Sequence, residues 1–332
     1  MRLTSLAVLL ALTPVAATPV TPPPMPDPLW ADGQGETRAT LLVEGTQVVS
    51  KRYAPGYSDA NRFISWSMAK TITAMLVGEL VADGRLQLDA PAPVAEWRGD
   101  ARRAITLRQL LHMASGLSHV EVGDPIENSD TNQAEFVQAA QAMAAYGIAK
   151  PLEAQPGGRF EYSTLTTIIL SEIVTRTLTP SRDPRVRAAA YKAFAEERVL
   201  KPAGVTSAFM EFDGSGTQVG GSLIHMTLDD WGRMGQLLID GRGPSGVQII
   251  APAWLAFMRA PSPRAAYYGG QLWLNVDGKH YPGAPRETVA MQGHLGQQVV
   301  VVPSRRTVLV RLGNTPDRER PALAAAIGRV LG

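Results

Sequence analysis

Cysteine is missing from all 332 residues. Its absence excludes disulfide staples, a lipid-bearing N-terminal cysteine, a thiol nucleophile and thiolate metal sites. A small stapled secreted domain is therefore ruled out, whereas a large exported enzyme with its own core needs no staple. An excess of one charge is missing too. There are 32 basic and 30 acidic residues, a net charge of +2, and nothing electrostatic points to nucleic acid. Lysine is scarce: six against a large majority of arginine, which with the abundant Ala, Gly and Pro reads as compositional bias without functional content. No apolar run reaches the length of a transmembrane helix.

Several signatures of chemistry are lacking as well. The five histidines (His112, His119, His225, His280 and His294) show no metal-ligand spacing, and there is no His-Glu-x-x-His. No Gly-x-Ser-x-Gly elbow occurs, which disfavours an α/β-hydrolase, and no Walker-type phosphate loop is present. One Gly-x-Gly-x-x-Gly match exists, Gly241 to Gly246. It follows a predicted helix and leads into the β-like Val247 to Ile250, the reverse of a dinucleotide site, and reads as a turn.

What is present begins with Met1-Arg2, the apolar Leu6 to Leu12 and the small residues Val15-Ala16-Ala17. That layout predicts a signal peptide over residues 1–17 and a periplasmic or secreted protein; an uncleaved N-terminal anchor is the competing reading. Residues 18–37 open with six prolines between Pro19 and Pro28 and read as an extended linker. Thr40 to Val43 and Gln47 to Lys51 flank Glu44-Gly45-Thr46 and predict a β-hairpin with Gly45 at the turn. Ser67 to Asp83 carries apolar residues at three-and-four spacing. It predicts an amphipathic helix with Ser67 at its N-cap or first turn and Gly84 past its end.

The middle, about 89–240, is mainly helical in pattern. Helices are expected over Thr106 to Met113, Glu135 to Ala145, Thr164 to Thr177, Val186 to Leu200 and Thr227 to Ile239. Strands return at Gln271 to Val276, Gln298 to Val302 and Thr307 to Leu312, and a last helix runs from about Arg320 to Leu331. Strands at both ends around a helical middle suggest one antiparallel sheet closed by both termini, with the helices as an insertion.

The first candidate for chemistry is Ser67-Met68-Ala69-Lys70. Residues three apart on a helix share a face, so Lys70 would lie beside the Ser67 hydroxyl. A serine hydroxyl needs such a base, and a lysine serves only with a lowered pKa. The plainer reading is a capping serine followed by a solvated lysine. Seventeen serines and six lysines give about 0.3 matches to this spacing by chance, so the spacing alone is weak. Tyr162, just before a predicted helix, could project its phenol into a cleft or merely pack at the junction. His294 is a similar case, a candidate contact or a hydrogen-bonded strand-end residue. His112, Trp66 and Trp231 read as packing, or the tryptophans at most as cleft walls.

Taken together, Phe63 to Thr71, Leu107 to Leu117, Pro156 to Ser163 and Gly293 to Gly296 resemble, in order, the motifs of the serine β-lactamase and penicillin-binding-protein superfamily. The nearest branch is that of class C-like (family VIII) esterases and 6-aminohexanoate-dimer hydrolases. The resemblance spans most of residues 38–315. It implies an α/β fold, a β-lactamase/transpeptidase-like sandwich with an antiparallel sheet flanked by helices plus a mainly helical region, in one domain over 38–332. It implies that Ser67 attacks an acyl carbonyl, that Lys70 with Tyr162 accepts its proton, and that the N–H groups of Ser67 and Gln297 form the oxyanion hole. The acyl-enzyme would be hydrolysed with Tyr162 as base, and no cofactor is required.

Two departures from the family pattern bear on substrate. Thr164 stands in place of the Asn of Tyr-x-Asn and lacks an amide's paired donor and acceptor. His294-Leu295-Gly296 replaces Lys-Thr-Gly; Gly296 lets substrate approach, but the permanent cation is gone, which argues against a dedicated β-lactamase. The expected partner is a small ester or amide, with no nucleic acid and no membrane contact beyond the export signal. An amidase or D-amino peptidase, a weak β-lactamase, and a penicillin-binding sensor without turnover remain alternatives.

Overall fold

The structure is a computed structural model, and it describes residues 27–332. The expected signal peptide and most of the proline-rich stretch lie outside the described residues. In chain order the strands are β1 (Glu36–Glu44), β2 (Gln47–Tyr53), β3 (Phe63–Ile64), β4 (Phe209–Met210), β5 (Ile224–Met226), β6 (Trp273–Leu274), β7 (Val289–Gly293), β8 (Gln297–Val302) and β9 (Thr307–Asn314). The helices are α1 (Ala69–Ala82), α2 (Leu107–Leu111), α3 (Asp130–Phe136), α4 (Met143–Ala149), α5 (Thr164–Leu178), α6 (Pro184–Ala195), α7 (Leu228–Asp240), α8 (Pro252–Arg259) and α9 (Arg320–Leu331).

Six strands form one antiparallel sheet in the order β2-β1-β9-β8-β7-β6, so the two ends of the chain meet at β1 and β9. Both faces are buried, and the alternation of a pleated strand assigns the residues. Leu41, Val43, Val299, Val301, Val308 and Val310 enter the large core that α1 and α7 share. Leu42, Val300, Val302 and Leu309 point the other way, against Leu323, Ile327 and Leu331 of α9. Helix α7 lies close on the sheet because Gly235 has no side chain: a Cβ there would stand 2.5 Å from Val308 Cγ1. The β1–β2 turn is made by Gly45 at φ 59°, a conformation open to glycine.

The helical region is interrupted by a second, three-stranded sheet, β3-β5-β4, that anchors the segment just ahead of α1. Helix α1 itself is not a one-sided amphipathic helix. Every residue from Ala69 to Leu80 is buried, so it runs through the middle of the fold with neighbours all round.

Three sequence expectations need correction. The stretch read as linker to residue 37 is docked at its end, with Leu29 wholly buried under α9 and β1 beginning at Glu36. The helix expected over 135–145 is two helices, α3 and α4. Val137 and Ala142 leave helical geometry between them, and the Asp213 carboxylate accepts from Met143 N at 2.9 Å to start the second. The strand expected over 271–276 is reduced to Trp273–Leu274, since Gln271 turns at φ 60° after two glycines. Strand β7 and helix α8 were not anticipated.

Candidate active site

Ser67 lies at the junction of the sheet and the helical region. It is not the N-cap of α1: it sits inside a short 3₁₀ turn, Trp66–Met68, and Met68 takes the cap position with no side-chain cap. The Ser67 hydroxyl is thereby left for chemistry rather than for capping. The turn is held from behind by Ser65, whose hydroxyl donates to Ser222 O at 2.7 Å and accepts from Ile224 N at 3.0 Å. Gly293 packs against it so closely that a Cβ there would meet Ser65 O at 2.3 Å. Between these constraints Trp66 adopts φ 42°, a left-handed conformation that costs a bulky residue on the order of 1–3 kcal/mol. Strain of that size is paid where the surroundings fix a side chain in place.

Lys70, one turn along and only 1% exposed, makes three polar contacts through Nζ: Ser67 Oγ at 3.0 Å, Thr164 Oγ1 at 2.8 Å and Gly221 O at 2.8 Å. Burial pushes its pKa below the ordinary lysine value, while the Glu121 and Glu135 carboxylates pull the other way. The polarity of the network can be worked out. Gly221 O can only accept. Thr164 Oγ1 donates to Glu121 Oε1 at 2.6 Å, so toward Lys70 it accepts. A neutral Lys70 amine therefore spends both protons on Gly221 and Thr164, and its lone pair is left for the Ser67 hydroxyl.

Tyr162 reaches the same point from the loop before α5. Its ring lies 5.0 Å from Lys70 Nζ and packs against Trp273 at 5.4 Å between centroids. Burial raises its phenol pKa well above the usual value and the Glu121 charge raises it further. The Ser67 hydroxyl and the Arg320 charge offset only part of this. Burial and the Glu121 charge both favour the protonated phenol.

Glu121 escaped the sequence reading altogether. It lies in the loop between α2 and α3, in no motif, and meets α5 only through the fold. Its carboxylate accepts from both the N–H (2.7 Å) and the hydroxyl of Thr164, from Thr131 Oγ1 at 3.0 Å, and pairs with His119 Nε2 at 2.6 Å. Burial alone would raise its pKa. The His119 hydrogen bond, the Lys70 charge and the Thr164 hydroxyl outweigh that and hold it at about 2. Thr164 was expected to touch substrate; at 1% exposure, with its hydroxyl committed to Lys70 and Glu121, it instead buttresses Lys70.

His294-Leu295-Gly296 forms a turn between β7 and β8 rather than a length of strand, with Leu295 at φ 58° and Gly296 at φ 76°. The Gln297 side chain clamps this turn: Nε2 donates to His294 O, Leu295 O and Gly313 O, and Oε1 accepts from Gly313 N. Only the backbone of Gln297 is left to serve a substrate. Arg311, buried in the sheet, donates to Gly296 O at 3.1 Å and ties the turn to Thr37 and Gln34 O. His294 lies edge-on to Trp66, with centroids 5.3 Å apart. His112 ends α2 and stacks on Phe257, away from this group, and Trp231 is fully buried with Nε1 on Phe63 O.

The chain is similar to known hydrolases over most of its length. A curated relative, the 6-aminohexanoate-dimer hydrolase of Paenarthrobacter ureafaciens, is 25% identical over 304 residues, which cover 85% of this chain and 73% of the relative. A solved Bacillus anthracis structure named for the same activity superposes with a TM-score of 0.72 at 21% identity, covering 88% of this chain and 78% of that one. A D-stereospecific amidohydrolase from Streptomyces gives 0.62 at 19% identity, covering 87% and 93%. At such identities the two structures establish a shared fold. The family model described as Beta-lactamase matches residues 27–331, essentially the whole described chain, and the protein belongs to that family of hydrolases.

Proposed function

We propose that the protein is a serine hydrolase that cleaves esters or amides of small substrates through an acyl-enzyme on Ser67. The observation that carries the reading is the 3.0 Å contact between Ser67 Oγ and a Lys70 amine whose other acceptors are already assigned. In acylation Ser67 Oγ bonds to the carbonyl carbon as its proton passes to Lys70. The oxyanion is met by the N–H groups of Ser67 and Gln297. The Tyr162 phenol, held protonated by burial, gives its proton to the departing alkoxide or amine as the C–O or C–N bond breaks, and Lys70 returns a proton to the phenolate. Water then attacks the acyl carbon, its proton returns to Ser67 Oγ through the same groups, and the acid is released.

The names of the relatives support amide substrates as well as esters. The missing lysine at His294 supports small neutral substrates over penicillins. We also propose, on the N-terminal sequence alone, that the protein acts outside the cytoplasm. A fluorophosphonate ester tests the chemistry: one label is expected, on the peptide carrying Ser67, and none in Ser67→Ala. Label on another of the seventeen serines, or substantial turnover by Ser67→Ala, would reject the proposal.

A further inference from the structure

Beyond the Ser67–Lys70–Tyr162 group, the informative contact at the cleft joins His294 to the first residue of α9. Arg320 Nη2 lies 3.1 Å from His294 Nδ1. A guanidinium carries five N–H donors, no acceptor, and a charge it never loses at working pH. The hydrogen bond therefore has one polarity, with Arg320 donating and Nδ1 accepting. An imidazole whose Nδ1 accepts carries its single proton on Nε2. Two charged groups face the ring, Arg320 and Asp317. Burial first, and then the Arg320 charge, hold the ring's pKa below the usual histidine value, against the opposing pull of Asp317. Asp317 Oδ1 lies 2.9 Å from Arg320 Nε, an ion pair on the guanidinium's other side without a hydrogen bond to that N–H. Trp66 meets the ring edge-on, so the same histidine is packed against the residue that precedes Ser67.

We propose that Arg320 is a positioning residue that locks His294 as the neutral Nε2–H tautomer. The place answering to the family's lysine then offers substrate one uncharged donor, suited to a carbonyl or ether oxygen. This rests on the catalytic reading of the Ser67 site proposed above. The permanent charge stays on Arg320, where Asp317 partly neutralises it, and the cleft selects substrates with an uncharged oxygen acceptor at that end.

The test uses the full chain labelled with ¹⁵N-histidine, with the His294 ring signals identified by their loss in His294→Asn. At neutral pH the wild type should show a pyridine-type Nδ1 and a pyrrole-type Nε2. Arg320→Met should move both signals toward a tautomer mixture and raise the ring's pKa, since the arginine charge lowers it. It should also reduce kcat/KM for methyl butyrate about fivefold, as for one lost hydrogen bond. Arg320→Lys, which can still donate to Nδ1, should restore signals and rate. A protonated Nδ1 in the wild type, ring signals indifferent to Arg320→Met, or altered signals with unaltered turnover would each overturn the proposal. Fluorophosphonate labelling of the Arg320→Met protein at Ser67 keeps this outcome separate from the fate of the catalytic reading.

Discussion

Thr164 and Glu121 are joined twice: the carboxylate accepts the Thr164 N–H at 2.7 Å and its hydroxyl at 2.6 Å. The first bond satisfies one of the orphan N–H donors at the N-terminus of α5, where a negative charge is also favoured by the helix dipole. The second sets the direction of the Thr164 hydroxyl. Because that proton goes to Glu121, the oxygen can only accept from Lys70, and once Lys70 is neutral its lone pair is the part left for Ser67.

That directionality makes Thr164 sensitive to a change of one atom type. Thr164→Val keeps the shape and removes the hydroxyl, leaving a Lys70 N–H without an acceptor in a buried site, a penalty on the order of 1–3 kcal/mol. We expect kcat to fall about tenfold or more, with Thr164→Ser close to wild type. A Thr164→Val enzyme as active as the wild type, with Thr164→Ser the impaired one, would mean that the methyl group, not the hydroxyl, matters.

Lys70 is the base in this scheme, and Lys70→Ala should lower kcat about a hundredfold or more. Lys70→Arg should rescue little, since a guanidinium does not release its proton. The pH profile follows from the direction of the shift. Lys70 must be neutral, so kcat/KM rises with pH through its lowered pKa. The Glu121 charge raises that pKa. Glu121→Gln should therefore move the acid limb to lower pH while lowering kcat about tenfold, since glutamine keeps an acceptor for Thr164 but loses the charge. A limb that stays in place would remove Glu121 from the electrostatics of the site.

Glu135 is a second buried carboxyl near Lys70, with Oε1 unpartnered among the described residues and the Ser222 hydroxyl beside it. Burial raises its pKa to about 7; Ser222 and Lys70 only partly oppose this. The folded state then binds more protons than the unfolded state between the ordinary carboxyl value of 4.5 and about 7. Stability falls as pH rises through that window and stays lower above it, by on the order of 3 kcal/mol. Glu135→Gln should melt a few degrees above the wild type near pH 8 and approach it near pH 5. Melting curves of the two proteins that run parallel across this range would refute the assignment.

How far the sequence could be read depended on the range of the forces involved. The β1–β2 hairpin with Gly45 at its turn, α5 and α9 follow from local periodicity and punctuation. The order of the motifs led to the group at Ser67, Lys70 and Tyr162. Failures came where a distant contact decides. The alanine-rich run Ala139 to Ala145 has the propensity of a continuous helix, yet Asp213, some seventy residues away, sets where α4 begins. Glu121 meets Thr164 across 43 residues and acts on Lys70 only through its charge, and nothing beside it in the chain marks it as special. Ser67 looked like a helix cap, because a 3₁₀ turn and the first turn of an α-helix share the same polar start.

Substrate preference is the remaining question that these residues bear on. The family resemblance places a penicillin's carboxylate near the position answered here by His294, an exposed residue whose neutral form is favoured by partial desolvation of the ring and by the Arg320 charge. A neutral ring gives such an anion one hydrogen bond and no charge pairing. Short-chain esters place an uncharged acyl group there and lose nothing. We therefore expect kcat/KM for p-nitrophenyl butyrate to exceed that for benzylpenicillin. His294→Lys should narrow the gap by supplying the missing cation, about tenfold if a charge-assisted bond forms. Arg320 limits the gain, because the introduced ammonium must share the turn with a guanidinium that now repels it. The double change His294→Lys with Arg320→Met should therefore recover more penicillin hydrolysis than His294→Lys alone. Steady-state kinetics with the two substrates decide the matter. A wild-type preference for benzylpenicillin would show that the cleft binds anions without a lysine at 294, and the argument from His294 would fall.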